Sequence, residues 1–416
     1  MTDRENFDAI VVGARCAGSP TAMLLARSGH RVLLLDRAHF PSDTLSTHLV
    51  HPAGTAALAR WGLLDRLAAT GCPPIEHYCY DFGDALQVGG APGTGHEPPA
   101  YCPRRHVLDH LLVESAVQAG AELREGVVVN GLLTGDAGQV LGVRAHTANG
   151  QAFEARARVV VGADGRASRV AAAVDAARYH ERPPVLASYY AYWSGLPMHG
   201  RFEIYVRPQR GLAAMPTHDG LTLVIAGWPH EELGAHKGDI DGEFLRTTAL
   251  APAFGERVAR ARRETRYQGA SLPGFFRQPH GPGWVLVGDA GYHKDPITAQ
   301  GISDAFLDAE RVAAALDAVW RGQREWDAAL GAAQAARDAH ALPVYEMTFQ
   351  LATLAPPPPE MQALLQAMQG QPAAMDAFVR MNAGSLPPPE FFAPQHVGSI
   401  FAAAAAANAD RAVGAA

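Results

Sequence analysis

Phe7-Asp8-Ala9-Ile10-Val11-Val12-Gly13-Ala14-Arg15-Cys16-Ala17-Gly18, with Arg31-Val32-Leu33-Leu34-Leu35-Asp36 a short way on, decides the fold. Residues 7–13 read as a buried strand that ends at a glycine. Residues 17–29 read as a helix closed by Gly29, and residues 31–36 as a second apolar strand. Strand, glycine turn, helix and strand within about 30 residues make a βαβ unit. Such a unit implies a parallel sheet with helices on its faces.

Outward from this unit, Leu108 to Ala119 predicts an amphipathic helix, followed by strand material at Val127 to Val129. Val140–Ala148 and Gln151–Val161 predict paired strands with a turn at Asn149–Gly150. In the middle of the chain, residues 187–193 alternate faces, with Tyr190 and Tyr192 on one side and Tyr189 and Trp193 on the other. Phe202–Arg207 and Leu221–Trp228 are also strand-like, and Thr217–Gly220 reads as a hairpin turn. This predicts an antiparallel sheet inserted into the first domain. A parallel-type strand returns at Trp284–Gly288, and helices follow from Ile302. They are interrupted by Pro356–Pro359 and Pro387–Pro389, which are short rigid turns or linkers.

Composition narrows the function. The 416 residues are 48% hydrophobic and 19% charged, enough for a large core. A net charge of −7 argues against nucleic acid, whose binding rests on phosphate neutralisation. Four cysteines are too few for a disulfide framework, so a reducing cytoplasm is expected. No targeting segment is visible, and the first apolar run is far too short to span a membrane. No histidine or cysteine spacing suggests a metal. Of the 35 basic residues only Lys237 and Lys294 are lysines. Coding bias explains that skew, but Lys294 falls inside a motif.

Three motifs carry chemistry. Gly13 to Gly18 matches G-x-G-x-x-G except that Arg15 replaces the middle glycine. The turn aims a helix N-terminus at a pyrophosphate. Asp36, at the end of the second strand, stands where a carboxylate binds ribose hydroxyls. The second motif is Val161-Gly162-Ala163-Asp164-Gly165, which alone is a turn. The third is Val287-Gly288-Asp289-Ala290-Gly291-Tyr292-His293-Lys294-Asp295-Pro296-Ile297-Thr298-Ala299-Gln300-Gly301, lying between a strand and a helix.

In this order and spacing the three motifs resemble those of the FAD-dependent monooxygenases of the para-hydroxybenzoate hydroxylase type. Geranylgeranyl reductases and flavin-dependent halogenases share the layout. The resemblance covers roughly residues 5–325. It implies an α/β protein, α+β overall, with a discontinuous Rossmann-like FAD-binding domain at 1–75, 100–185 and 270–330. An inserted antiparallel substrate sheet would occupy 76–99 and 186–269, with a C-terminal helical region at 331–416. The resemblance implies that Gly13, Ala14, Arg15, Ala17, Gly18, Asp36, Arg37 and Val128 hold the ADP half of FAD. Asp164 would lie beside the pyrophosphate. Gly288 and Asp289 would bind the pyrophosphate–ribityl region, and Pro296, Gln300, Gly301 and Ile302 would face the isoalloxazine. Tyr101–Asp109 looks like the family's Arg-x-x-Leu segment and puts Arg105 at the flavin. A solvated Arg104–Arg105 pair at a helix start is the other reading.

The third motif departs from the family's Gly-Asp-Ala-Ala-His at Gly291 and Tyr292. The halogenase marker Trp-x-Trp-x-Ile-Pro is absent, its nearest echo being Gly227-Trp228-Pro229. The Cys-Gly-Gly segment of the reductases is replaced by Pro41 to His48.

The implied reaction is hydroxylation of an aromatic or polyketide-like molecule by a flavin C4a-hydroperoxide, with NADPH or NADH as transient reductant and molecular oxygen as co-substrate. His48, Lys294 and Pro296 are the catalytic candidates. His48 is either a hydrogen-bonding and proton-carrying group or part of a polar loop capping the helix near Pro52. Tyr190, Tyr192, Tyr205 and Trp228 are candidates for an aromatic substrate wall. A C=C reductase or oxidase, and a non-catalytic flavin or small-molecule binder, are the alternatives. A monomer or homodimer free of membrane and nucleic acid is expected, in natural-product (secondary) metabolism. Leu351, Leu354, Leu364, Leu365, Met368 and Phe378 suit helices packing over the flavin domain or a dimer surface.

Overall fold

Ile10, Val11 and Val12 are each at most 7% exposed, so the first strand is buried on both faces. A continuous apolar run of this kind belongs in the middle of a parallel sheet. The computed structural model describes residues 6–83 and 86–414 and places it there. β1 (Asn6–Val12), α1 (Gly18–Arg27) and β2 (Val32–Leu35) form the βαβ unit. β1 pairs in parallel with β2 on one side and with Ala152–Gly162 on the other. Trp284–Leu286 adds to the outer edge of 152–162, and Glu122–Arg124 to the outer edge of β2.

Alternation divides these side chains between two layers. Ala9, Val11, Val32 and Leu34 pack against α1 and the helices Arg105–Gln118 and Gly301–Trp320. Ile10, Val12, Leu33 and Leu35 face the other way, onto Val127, Val129 and Val143. The second face is therefore covered mainly by an antiparallel meander, Val127–Thr134 and Val140–Thr147 running into 152–162, and not by helices as expected. The turn at Asn149–Gly150 forms as the sequence indicates, with Gly150 at φ +84°.

The second sheet runs in the order 186–194, 222–229, 210–216, 201–207, 77–81 and 87–90. Residues 262–263 and 268–270 also pair with 186–194. The strand Arg210–Pro216 escaped the sequence reading because Gly211, Ala213 and Ala214 carry little β propensity. The sheet is mixed, not purely antiparallel, since Arg201–Arg207 pairs in parallel with His77–Asp81. Those strands lie more than a hundred residues apart, and so long a crossover leaves either direction open.

Helices Ile240–Ala249 and Pro252–Arg260 cover the outer face of this sheet through Phe244, Phe254 and Val258. The C-terminal helices differ from expectation. Trp326–Ala352 does pack on Gly301–Trp320. Leu364, Leu365, Met368 and Phe378, however, bury against Val88, Tyr80 and Phe82 at the end of the second sheet. Leu354 packs on Leu186 and Leu351 stays exposed. Among the described residues no helix is long and apolar enough to cross a membrane.

Candidate active site

The turn after β1 is built from interlocking backbone. Gly13 has φ +102°, and the Ala14 N–H donates to Asp36 Oδ2 at 2.7 Å. Asp36 Oδ1 accepts from the Ala38 N–H at 2.8 Å. Asp36 thus clamps the ends of both strands while one side faces a cavity of about 680 Å³. That volume lies in the range of roughly 300–1,000 Å³ usual for small-molecule and cofactor sites. Gly13, Arg15, Ala17, Asp36, Arg37 and Val128 all line it, as do Ala163 and Asp164. Ala14 and Gly18 are buried behind this wall.

Arg15, the residue in place of the middle glycine, does not stand free. Its NH1 donates to Asp109 Oδ2 at 2.5 Å and its NH2 to Ser42 Oγ at 2.9 Å. Arg105 opens its helix as expected, and its Nε and NH2 donate to the same Asp109 at 3.0 and 3.1 Å. Cys16 Sγ lies 3.3 Å from Asp109 Oδ1. One fully buried carboxylate therefore holds two guanidinium groups, leaving this wall with net positive charge. Burial, more than any neighbouring charge, holds the Cys16 thiol neutral. The i,i+4 spacing of Arg105 and Asp109 was the sequence signal for this hub.

Asp164 Oδ2 accepts from the Arg169 N–H at 2.6 Å, but its Oδ1 is buried without a protein partner. Across the cavity the Gly288 N–H donates to Asp308 Oδ2 at 2.9 Å. Gly288, Asp289, Pro296, Gly301 and Ile302 line this side. Gln300 does not: its Nε2 donates to the Asn382 carbonyl, tying the loop to a C-terminal helix. The loop is held from behind as well. His51 Nε2 bonds the Thr298 carbonyl at 3.0 Å and its Nδ1 bonds Tyr78 OH at 2.8 Å. A carbonyl only accepts, so Nε2 carries the proton and Nδ1 receives the tyrosine's. Burial lowers the His51 pKa to about 4, in keeping with a neutral ring.

Lys294 lines the cavity with its Nζ 2.7 Å from Asp304 Oδ2, so it is an ion-paired cation and not a free amine. Its neighbour Asp295 also lines the cavity, and desolvation raises that carboxyl to about 7. Arg337 and His340 reach the cavity from the helix Trp326–Ala352, within which residue 331 falls. The sequence signal was an arginine in an alanine-rich helical stretch, Ala335-Ala336-Arg337-Asp338-Ala339, which periodicity alone does not connect to a distant site.

The four aromatic candidates divide. Tyr190 lines the cavity with Ser188, Ile225 and Leu272. Tyr192 lies on the same face but is buried beneath it. Tyr205 and Trp228 are on the outer face. Tyr205 stacks on Phe254 at 4.7 Å, and Trp228 stacks on Tyr189 at 5.4 Å. Trp228 pairs with Ala187 in the register, which gives it the parity of Tyr189 and Trp193. These two are core, not substrate wall.

His48 sits behind Thr44–Thr47, which do line the cavity. Its Nε2 lies 2.5 Å from Tyr192 OH, and its Nδ1 has no protein partner. Desolvation, reinforced by Arg105 and Arg104, lowers its pKa to about 3. The unfolded chain binds its proton near the ordinary value of 6.5, so stability is lost as pH falls through that range. At pH 5 this one residue should cost about 2 kcal/mol. His48→Asn should flatten the decline, since Asn tolerates the left-handed φ of +63° at this position. Urea midpoints at pH 7 and 5 check this, and parallel slopes in the two proteins would reject it.

The chain matches the family described as FAD binding domain over residues 6–348. It is 27% identical over 331 residues to a digeranylgeranylglycerophospholipid reductase of Methanosarcina mazei, covering 77% of each chain. It is also 27% identical over 325 residues to the 6-methylpretetramide 4-monooxygenase of Streptomyces rimosus, covering 74% of each. The myxobacterial chondrochloren halogenase shares its fold, with a TM-score of 0.78, 24% identity, and 96% of this chain and 97% of that one covered.

Proposed function

The chain belongs to the FAD binding domain family, and on that premise we propose that this FAD-dependent oxidoreductase is an NAD(P)H-dependent monooxygenase hydroxylating an aromatic or polyketide-like molecule. One observation carries the reading. A single cavity runs from the Asp36 clamp, past the Asp289 loop, to the sheet face bearing Ser188, Tyr190 and Ile225. Space for a dinucleotide is therefore continuous with a partly apolar chamber. The Streptomyces relative supports this choice of reaction.

The residues present fit FAD. The cationic Arg15–Asp109–Arg105 wall suits a diphosphate. The unpartnered Asp164 Oδ1 is left for a ligand donor or water. In this reading Gly13, Arg15, Asp36 and Val128 hold the ADP half, and Asp289, Pro296, Gly301 and Ile302 the flavin half. When bound and reduced, FAD supplies the electrons that activate oxygen. The protein's own work is to bind, orient and keep water out. The start of the helix Gly301–Trp320 presents its positive end to that half of the cavity and favours negative charge there. The Lys294–Asp304 pair lies against the same turn. In the same reading the enzyme works in the cytoplasm, to which its four free cysteines are suited.

The test is to purify the protein, record its flavin spectrum, and follow NAD(P)H and oxygen against phenols and polycyclic quinones. Oxygen uptake raised by substrate and matched to NAD(P)H is expected. NAD(P)H oxidation without oxygen uptake, together with a saturated product, would replace this reading with reduction of C=C bonds, which the Methanosarcina relative favours. In the same assay Lys294→Met should leave flavin bound but lower substrate-coupled oxygen uptake severalfold, because Asp304 loses its buried counter-charge. Wild-type coupling in that variant would remove Lys294 from the mechanism.

A further inference from the structure

Asp295 is 1% exposed and lines the cavity on the loop that carries Pro296. Its Oδ1 accepts the Ile297 N–H at 3.0 Å, which fixes the side chain. Its Oδ2 is buried with no partner in the protein. Buried carboxyl oxygens are rarely left unbonded, because each lost water contact must be replaced. Asp295 lines the cavity, so a ligand held there is the partner that can reach this carboxyl. The neighbouring charged and titratable groups are already engaged or neutral. Lys294 pairs with Asp304, and His293 Nδ1 is held by the Pro273 carbonyl. His51 is held by Thr298 and Tyr78. His340 is kept neutral mainly by burial.

Resting on the hydroxylase reading, we propose that Asp295 is a further catalytic residue, whose free Oδ2 takes the proton of a phenolic hydroxyl on the substrate and later returns it. The phenolic O–H bond breaks and an Oδ2–H bond forms. The electron pair stays on the phenolate oxygen and enriches the ring for substitution; the substituted ring carbon then loses its own hydrogen as a proton to water, and the Oδ2 proton goes back to the phenolate oxygen. A base serves best when its pKa lies near the working pH, and desolvation brings this carboxyl to about 7.

The test uses oxidised holoenzyme and p-nitrophenol, whose hydroxyl ionises near neutral pH. Binding is measured by calorimetry at mildly alkaline pH in two buffers of different ionisation heat. Asp295→Asn and Asp295→Ser both keep an acceptor for the Ile297 N–H, so the loop should fold alike in each. The wild type should take up about one proton per phenolate bound, shared between Oδ2 and the phenolate. Both variants should take up none and bind about tenfold more weakly. Equal proton uptake in all three proteins, or no binding by the wild type, overturns the proposal. Oxygen uptake is scored separately. Its absence alongside the expected proton uptake rejects hydroxylation but keeps this role for Asp295. Its presence alongside unchanged proton uptake rejects Asp295 alone.

Discussion

Replacing Asp109 by alanine should strip the protein of flavin and cost about 3–5 kcal/mol, the range for breaking a buried ion pair from one side. Asp109 is fully buried and accepts from Arg105 through two nitrogens, from Arg15 through one, and from the Cys16 thiol. Without it Arg105, whose side chain is 10% exposed, keeps its charge but loses its hydrogen-bonded counter-ion. It then also repels Arg15 across the same wall. Asp109→Asn should fall between wild type and alanine. Its amide oxygen still accepts, but its NH2 group faces guanidinium donors. The measurements are the flavin-to-protein ratio after gel filtration and urea unfolding of the apoprotein. A variant with full flavin and the wild-type midpoint would show that the two arginines do not depend on this carboxylate.

Gly18→Ala should be the most damaging small substitution in the chain, with a loss above about 3 kcal/mol and no flavin-bearing product. A Cβ at Gly18 would lie 1.7 Å from the Gly13 carbonyl oxygen and 3.1 Å from Ala163 Cβ. Gly13 cannot yield, because its own Cβ position lies 2.4 Å from the Ala163 carbonyl oxygen. Backbone from β1, from the start of α1 and from the end of strand 152–162 meets here, and no side chain can rotate away. Gly331→Ala is the matched control. Position 331 lies within a helix with nothing near its Cβ, so the same change should stabilise by up to about 1 kcal/mol. Equal midpoints for the two variants would contradict the packing argument.

Sequence reading succeeded where the physics is local. The βαβ unit was legible because apolar runs, a left-handed glycine and a strand-end carboxylate all act within about thirty residues. Arg105 at a helix start and the turn at Asn149–Gly150 were legible for the same reason. Strand parity correctly separated Tyr190 and Tyr192 from Tyr189 and Trp193. It did not say which face is the cavity side, nor how the parity of one strand maps onto the next. That mapping depends on register, and it is why Tyr205 and Trp228 fell on the wrong side. The C-terminal leucines were recognisable as buried, but not what they would bury against.

By itself the sequence determined the βαβ unit, the parallel sheet it implies and a chain apolar enough for a large core. These follow from short-range sterics and from composition. Only the tertiary structure decided how each charged group is used. It showed that Arg15 and Arg105 share Asp109, that Lys294 is neutralised by Asp304, and that His48 meets Tyr192 across 144 residues of chain. It also showed that one buried oxygen of Asp295, a residue lining the cavity, has no partner in the protein. The cause is physical. Whether a buried polar atom is paired depends on every group brought within about 3 Å of it, and most of those come from distant segments of the chain.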